Sequence, residues 1–175
     1  MTAFGLQNAN TNTNNTSRVD QILNSLPSDN TNPWIAAGEG NLQLLQQILT
    51  QQNLSINEQD ENGYSFLHSA SSYNQIPTVQ WLLSQSQPHQ QTINVNIQDT
   101  DGDTPLHHCE YVDAARCLIE VGNVDFRIKN NEGKNALQVK EEELEEGQDH
   151  EDDDSPEILE LRRLVEYLSD VMMSC

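Results

Sequence analysis

The sequence predicts an all-α fold, a stack of about four helix-turn-helix units with flanking helices and a disordered acidic segment. Three similar glycine-containing segments support this, because they end at Gly63, Gly102 and Gly133 with spacings of 39 and 31 residues. A helix-start cluster follows each glycine, and apolar residues at helical spacing follow most of the clusters. Repeats of this kind bury a continuous core by stacking on their neighbours.

The second copy of this pattern explains what each residue type does for the backbone. Gly102 permits the positive φ of a tight turn, Thr104 can cap a free helix amide, and Pro105 has its φ preset for the first helical position. We interpret His107 as a structural staple, since its imidazole can bond both the cap hydroxyl and a neighbouring turn carbonyl. His68 occupies the corresponding place in the first copy.

The order of these residues resembles the ankyrin repeat, a unit of about 33 residues with a β-turn, two helices and a Thr-Pro-Leu-His start. The match is most specific at residues 99–122, and the resemblance covers roughly residues 30–145. It implies an ankyrin-repeat solenoid with repeats at 30–59, 60–98 and 99–129 and a partial fourth repeat at 130–145.

The sequence departs from the family pattern in three places. Ser84–Thr92 makes the second unit longer than the family period, so we expect a bulged surface loop there. Between His108 and Ala114 the third unit is short, which predicts a tighter helix-turn-helix. In the last copy Ala136 and Gln138 replace proline and histidine, which predicts an adapted final repeat.

The segments outside the repeats have different compositions. Eleven acidic and no basic residues lie between Glu141 and Glu157, so most of this stretch should be solvated and mobile. Beyond it, Leu161, Leu168 and Met172 share one side of a helix that should dock on another surface. The predicted segments are a disordered Asn/Thr-rich tail at 1–16, a capping helix at 17–27, an acidic linker at 146–156 and an amphipathic helix at 157–175.

Charge and cysteine content restrict the classes of partner and the compartment. Twenty-eight acidic against 8 basic residues give a net charge of -20, which disfavours nucleic acid and anionic membranes and favours a basic protein surface. The first 17 residues contain no continuous apolar stretch, so we expect no signal peptide or membrane span. Three cysteines, an odd number with no paired spacing, fit a reducing compartment, and we expect the cytoplasm, the nucleus or both.

Three constellations suggest a metal, calcium or catalytic site, and a simpler interpretation is favoured for each. His107-His108-Cys109 contains zinc-ligand types, but adjacent residues on one helix point in different directions. Cys109 with His107 or His108 is also the one nearby combination of nucleophile and base, but a buried packing cysteine is the usual explanation in an ankyrin helix. The acidic run at 149–160 lacks the glycine that a calcium loop needs. We therefore expect no metal, no cofactor and no enzyme activity, and we note Ser155 before Pro156 as a possible phosphorylation site.

The resemblance implies that a protein partner binds the concave surface made by turn tips and first helices, with plain surface exposure as the alternative at each position. The candidate residues are Glu61, Asn62, Tyr64, Tyr73, Thr100, Asp101, Asp103, Glu110, Tyr111, Asn131, Glu132 and Lys134. Three hypotheses follow. The first is a non-catalytic protein-interaction module, and the second is an escort of a basic protein, since small acidic members of the ankyrin family include escorts of ribosomal proteins. The third is a structural or regulatory subunit that docks through its C-terminal helix.

Overall fold

The computed structural model describes residues 32–85, 92–147 and 155–174. The helices in these ranges are α1 Pro33–Gly38, α2 Leu42–Gln52, α3 Phe66–Ser72, α4 Ile76–Ser84, α5 Val112–Arg116, α6 Ala136–Glu146 and α7 Pro156–Met173. Helix α5 continues into one π-helical turn, Cys117–Val121. The described ranges contain no β-strand, only an isolated bridge between Gln59 and Ser65. The prediction of an all-α fold is confirmed.

Successive helix pairs lie side by side. Helices α1 and α2 form unit 1, α3 and α4 form unit 2, and α1 also packs against α3, the first helix of the next unit. Helix α4 contacts α5 and its π-helical turn in unit 3. The core lies between these layers, and its largest fully buried side chains include Leu45, Ile48, Phe66, Leu67, Leu82, Leu106, Leu118 and Leu164.

In unit 3 a single turn stands where units 1 and 2 have their first helix. The turn is closed by the His107 amide, which donates to the Thr104 carbonyl at 2.9 Å, and α5 begins soon afterwards at Val112. Leu106 still enters the core at 2% exposure, so the turn keeps the packing role of the missing helix. The short spacing between His108 and Ala114 leaves too few residues for more than this turn.

Unit 4 consists of α6 and α7, which pack against each other, and α7 also packs on α5. Leu164 and Leu168 of α7 are buried at this contact. The amphipathic helix expected near the C-terminus therefore covers its apolar side with the repeats of its own chain. Helix α6 includes Glu141–Glu146, so the first six residues of the acidic stretch are helical.

Short polar side chains determine where the helices begin. Asn32 accepts hydrogen bonds from the amides at the start of α1, and Ser155 accepts one from the Ile158 amide in α7. Ser65 and Asn135 start α3 and α6 with a reciprocal capping box. In the second of these boxes the partner is Gln138, which shows how a glutamine can replace the histidine of units 2 and 3.

Several predicted segments lie outside the described residues. These are the tail at 1–16, the helix at 17–27, and the central parts of the loop after Ser84 and of the acidic linker. Among the helices that are described, none is long and apolar enough to cross a lipid bilayer.

Candidate protein-interaction surface

In each of units 1, 2 and 3, an aromatic or imidazole N–H group donates to a backbone carbonyl at the helix start of the next unit. In every case the acceptor is the residue immediately before the cap of the next unit. The pairs are Trp34 Nε1 to Tyr64 O at 2.6 Å, His68 Nε2 to Asp103 O at 3.0 Å and His107 Nε2 to Lys134 O at 3.2 Å. These bonds fix the spacing of neighbouring units and hence the positions of the turn tips.

The two histidines in this series are neutral and have a defined tautomer. Nδ1 of His68 accepts from the Ser65 amide at 3.1 Å and lies 2.8 Å from its hydroxyl, so the proton is on Nε2, which donates to Asp103. Burial lowers the pKa of His68 from 6.5 to about 4. Burial also lowers the pKa of His107, whose Nδ1 lies 2.8 Å from the Thr104 hydroxyl.

The turn tips are joined by backbone hydrogen bonds. The Thr100 amide donates to the Asn62 carbonyl, and the Asn131 amide donates to the Asp101 carbonyl, both at 2.9 Å. Gly102 lies so close to the next tip that a Cβ atom there would be 2.8 Å from the Asn131 amide nitrogen. Four of the candidate binding residues therefore also hold the tips in register through their backbones.

The side chains of the candidate tip residues differ in their availability. Asp103 accepts from the Asn130 side chain at 2.8 Å, and Lys134 bonds Glu132 at 2.9 Å and also Glu142, so these side chains are engaged within the protein. The exposed candidates at the tips are Glu61, Asn62, Thr100, Asp101, Asn131 and Glu132. The tips thus present mainly carboxylates and amides to solvent.

The three candidate tyrosines have unequal exposure. Tyr64 is half-buried, stacked on His68 with ring centroids 5.0 Å apart and in edge contact with His108. Tyr73 is 65% exposed and Tyr111 40% exposed. Because a tyrosine side chain has few rotatable bonds, these two residues can offer contact area at a low entropic cost.

Tyr73 forms part of a groove between the first helices of units 1 and 2. We call this the α1–α3 groove; it has a volume of about 560 Å³, and Trp34, Ile35, Gly38, Glu39, Tyr64, Ser69 and Tyr73 line it. Ser69 donates to the Trp34 carbonyl at 2.7 Å and fixes the groove floor. Its size lies within the range of protein binding pockets.

Sequence reasoning missed the unit 1 side of this groove. Trp34, Ile35 and Glu39 were placed in an opening repeat, but that repeat has no histidine cluster from which binding positions could be projected. The helix cap could have identified these residues. Aligning the cap residue Asn32 with the cap residue Ser65 places the α1 residues opposite those of α3.

A second cavity, which we call the acidic pocket, has a volume of about 400 Å³. It is lined by Glu110, Tyr111, Lys140, Glu143, Pro156, Glu157, Glu160 and Leu161. Lys140 is 4% exposed, and its ammonium donates to both carboxylate oxygens of Glu143, at 3.0 and 2.8 Å. The candidate residues Glu110 and Tyr111 therefore lie beside carboxylates of α6 and α7.

His107, His108 and Cys109, which were considered for metal or nucleophile chemistry, each have a hydrogen-bond partner within the protein. His108 Nε2 lies 2.8 Å from Asp99 Oδ2, and the ligand atoms of His68, Asp99 and His108 lie within 4.8 Å of one another. Both ring nitrogens of His68 are already hydrogen-bonded, so a metal on Nε2 would break the bond between units 2 and 3. Burial raises the pKa of Cys109 to about 12, which keeps it a thiol.

Stacked helix pairs joined through capped turns define a repeat protein of the ankyrin type. The family model described as ankyrin repeats (many copies) matches residues 34–83. The chain is 38% identical over 108 residues to the ankyrin repeat-containing protein P1E11.10 of Schizosaccharomyces pombe, covering 62% of this chain and 49% of that protein. The chain therefore contains ankyrin repeats.

The similarity extends to a larger protein. The chain is 28% identical over 139 residues to the transient receptor potential cation channel subfamily A member 1 of Homo sapiens, covering 77% of this chain but 11% of that protein. The chain spans about half the length of the first relative and a small part of the second.

Proposed function

We propose that this ankyrin-repeat protein is a non-catalytic interaction module whose protein partner binds the first-helix surface and the turn tips. One observation carries the proposal: Ile35 and Tyr73 are 46% and 65% exposed in the same groove. Large apolar side chains grouped in a groove favour a partner that covers them. Ankyrin repeats generally mediate protein–protein interaction, which supports the same conclusion.

The side chains with catalytic potential support a role without catalysis. His68 and His107 are held between units by hydrogen bonds at both ring nitrogens. Cys109 is fully buried. A general base needs a free nitrogen near a substrate site, and a nucleophile needs access to one.

A photo-reactive amino acid placed at Tyr73 tests the binding surface. The matched control places the same amino acid at Gln80, which is exposed on α4, the second helix of unit 2. We expect cross-links to a protein partner in cell extract from position 73 and few from position 80. Equal cross-linking at both positions, or stronger cross-linking at position 80, would refute the first-helix surface as the binding site.

An escort of a basic protein is a second candidate, favoured by the net charge of -20. Deleting the whole acidic stretch would also remove part of α6, so the test should neutralise only acids that lie between α6 and α7 in the sequence. Replacing Asp149, Glu151, Asp152, Asp153 and Asp154 by their amides leaves α6 and α7 intact. We expect the variant to bind the partner more weakly and with a smaller dependence on salt concentration. If its affinity is unchanged, and is the same at low and high salt, the escort function is excluded.

Docking into a larger assembly through α7 receives less support. Leu168 is 2% exposed and Leu164 is fully buried against other parts of the stack. The apolar side that motivated this hypothesis is therefore covered at its centre, while Leu161 and Met172 are half-buried. A partner could reach only the remaining surface of α7, where Leu159 is 41% exposed.

A further inference from the structure

The α1–α3 groove combines an apolar opening with a wall that is already held in place. Trp34 is fixed by its bond to the Tyr64 carbonyl and by its contact with Phe66, whose ring centroid is 5.2 Å away. Tyr73 lies over Gly38, where an added Cβ atom would be 3.0 Å from the ring. A bulky side chain entering the groove would thus meet ordered aromatic surface, which limits the entropy lost on binding.

The fixed charges around the α1–α3 groove are all negative. No lysine or arginine occurs between residues 19 and 115, so neither unit 1 nor unit 2 contributes a fixed positive charge. Glu39 lines the groove itself. Burial raises the pKa of the Tyr64 phenol, and the carboxylates of Asp99 and Glu110 act in the same direction. These carboxylates therefore place negative potential along the groove.

We propose that the α1–α3 groove binds a linear protein segment in which one large apolar side chain is flanked by lysine or arginine. This inference rests on the proposed function and specifies the chemistry of the partner. The apolar side chain covers Ile35 and Tyr73, while the flanking cations lie near Glu39 and the tyrosine faces. Cations are attracted both by carboxylates and by the faces of aromatic rings.

A second copy of this chain does not fit the groove. Two copies would bring together net charges of -20, and the described cations begin only at Arg116, beyond the units that form the groove. Several of those cations are in ion pairs of their own, such as Lys134 with Glu132 and Lys140 with Glu143. A segment from a different, basic protein is the occupant that matches the charge of the groove.

A phage-displayed library of random peptides of about 12 residues, selected on the full chain, tests this. Each round is counter-selected on the Tyr73→Ala variant to remove peptides that bind elsewhere. We expect enriched peptides to share a bulky apolar residue flanked by lysine or arginine. Enrichment of peptides without this pattern, or no enrichment after counter-selection, would overturn the proposal.

Anisotropy titrations with a resynthesised enriched peptide then locate the site. We expect Tyr73→Ala to weaken binding by about tenfold, as truncation of an aromatic anchor often does, and Glu39→Gln by a smaller factor that shrinks in high salt. Val121→Ala is the control, since Val121 is 62% exposed on the second helix of unit 3 and should change nothing. Equal losses in the groove and control variants would refute the site.

The two proposals can fail separately. If no peptide of this chemistry binds while Tyr73 cross-links to a protein partner, the occupant is wrong and the interaction module stands. If the cross-linking fails as well, the first-helix surface is not a binding site. Peptide binding that is unchanged when alanine replaces the apolar residue would contradict neither charge attraction nor the module, but it would refute the apolar anchor.

Discussion

At the residue scale, the side chains that join the units differ chemically but end at equivalent acceptors. An indole in unit 1 and imidazoles in units 2 and 3 all donate to the carbonyl before the next cap. In unit 4 Gln138 accepts from the Asn135 amide at 3.1 Å and remains exposed. Gln138 therefore completes the capping box of its own helix but makes no bond to a following unit, since the described residues contain none.

The turn glycines allow a matched comparison. Gly102 and Gly133 have φ values of +80° and +79°, so alanine should cost about 1–2 kcal/mol at either site for its backbone alone. At Gly102 the added Cβ atom also meets Asn131 at 2.8 Å, whereas at Gly133 nothing lies within 4 Å. We expect Gly102→Ala to destabilise clearly more than Gly133→Ala in urea unfolding. Equal losses would contradict the close contact between the tips.

The buried histidines predict how stability depends on pH. The pKa of His68 is about 4 when folded and about 6.5 when unfolded, so below pH 6.5 the unfolded state binds a proton that the folded state does not. Stability is therefore complete above about pH 6.5 and falls toward pH 4, by at most about 1.4 kcal/mol per pH unit for each such histidine. His107 contributes in the same direction.

Urea unfolding between pH 7.5 and pH 5 measures this dependence before most carboxylates titrate. His68→Gln is the matched control, because glutamine can accept the Ser65 amide as Gln138 accepts that of Asn135. We expect the variant to be less stable at pH 7.5, by about 1 kcal/mol for the lost bond to Asp103, and to show a shallower slope. An unchanged slope would show that another group titrates.

At the element scale, the sequence predicted the units well and their details less well. Turn glycines, caps and apolar spacing depend on local chemistry, so α3, α4 and α6 follow directly from the sequence. The bond from Trp34 to Tyr64 links residues 30 positions apart and follows no motif, so it could not be predicted. The same holds for the groove, which exists only once α1 lies against α3.

Helix α7 shows the same limit at a larger distance. The sequence predicted the apolar side of this helix but not the surface that covers it. The acidic stretch separates α6 from α7 along the chain, so no local pattern indicates that the two helices pair. The assembled stack shows α7 against α6 and α5. The acidic stretch therefore separates the two helices of one unit along the chain, with its first residues in α6.

This packing predicts the effect of two leucine substitutions in α7. Leu164 is fully buried and Leu159 is 41% exposed. We expect Leu164→Ala to lower the free energy of unfolding by about 2–5 kcal/mol, since it leaves a cavity, and Leu159→Ala by about 0.5 kcal/mol or less. Chemical denaturation followed by circular dichroism measures both. Similar small losses would mean that α7 does not contribute to the core.

At the scale of the whole molecule, two electrostatic effects oppose each other. Ion pairs such as Lys134 with Glu142 stabilise the fold, and salt weakens them. Repulsion within a net charge of -20 destabilises it, and salt weakens this repulsion too. Exposed pairs contribute little, and 28 acidic residues cannot all be paired with 8 basic ones, so we infer that repulsion is the larger effect.

The melting temperature should therefore rise when sodium chloride is increased from about 10 mM to about 500 mM, where the screening length falls below about 8 Å. The combined variant Glu61→Gln and Asp101→Asn tests the cause, because both carboxylates are exposed on turn tips. It should melt at a higher temperature than the parent in low salt and gain less from added salt. If the parent melts lower in high salt, the ion pairs outweigh the repulsion, and the acidic surface costs the fold little stability.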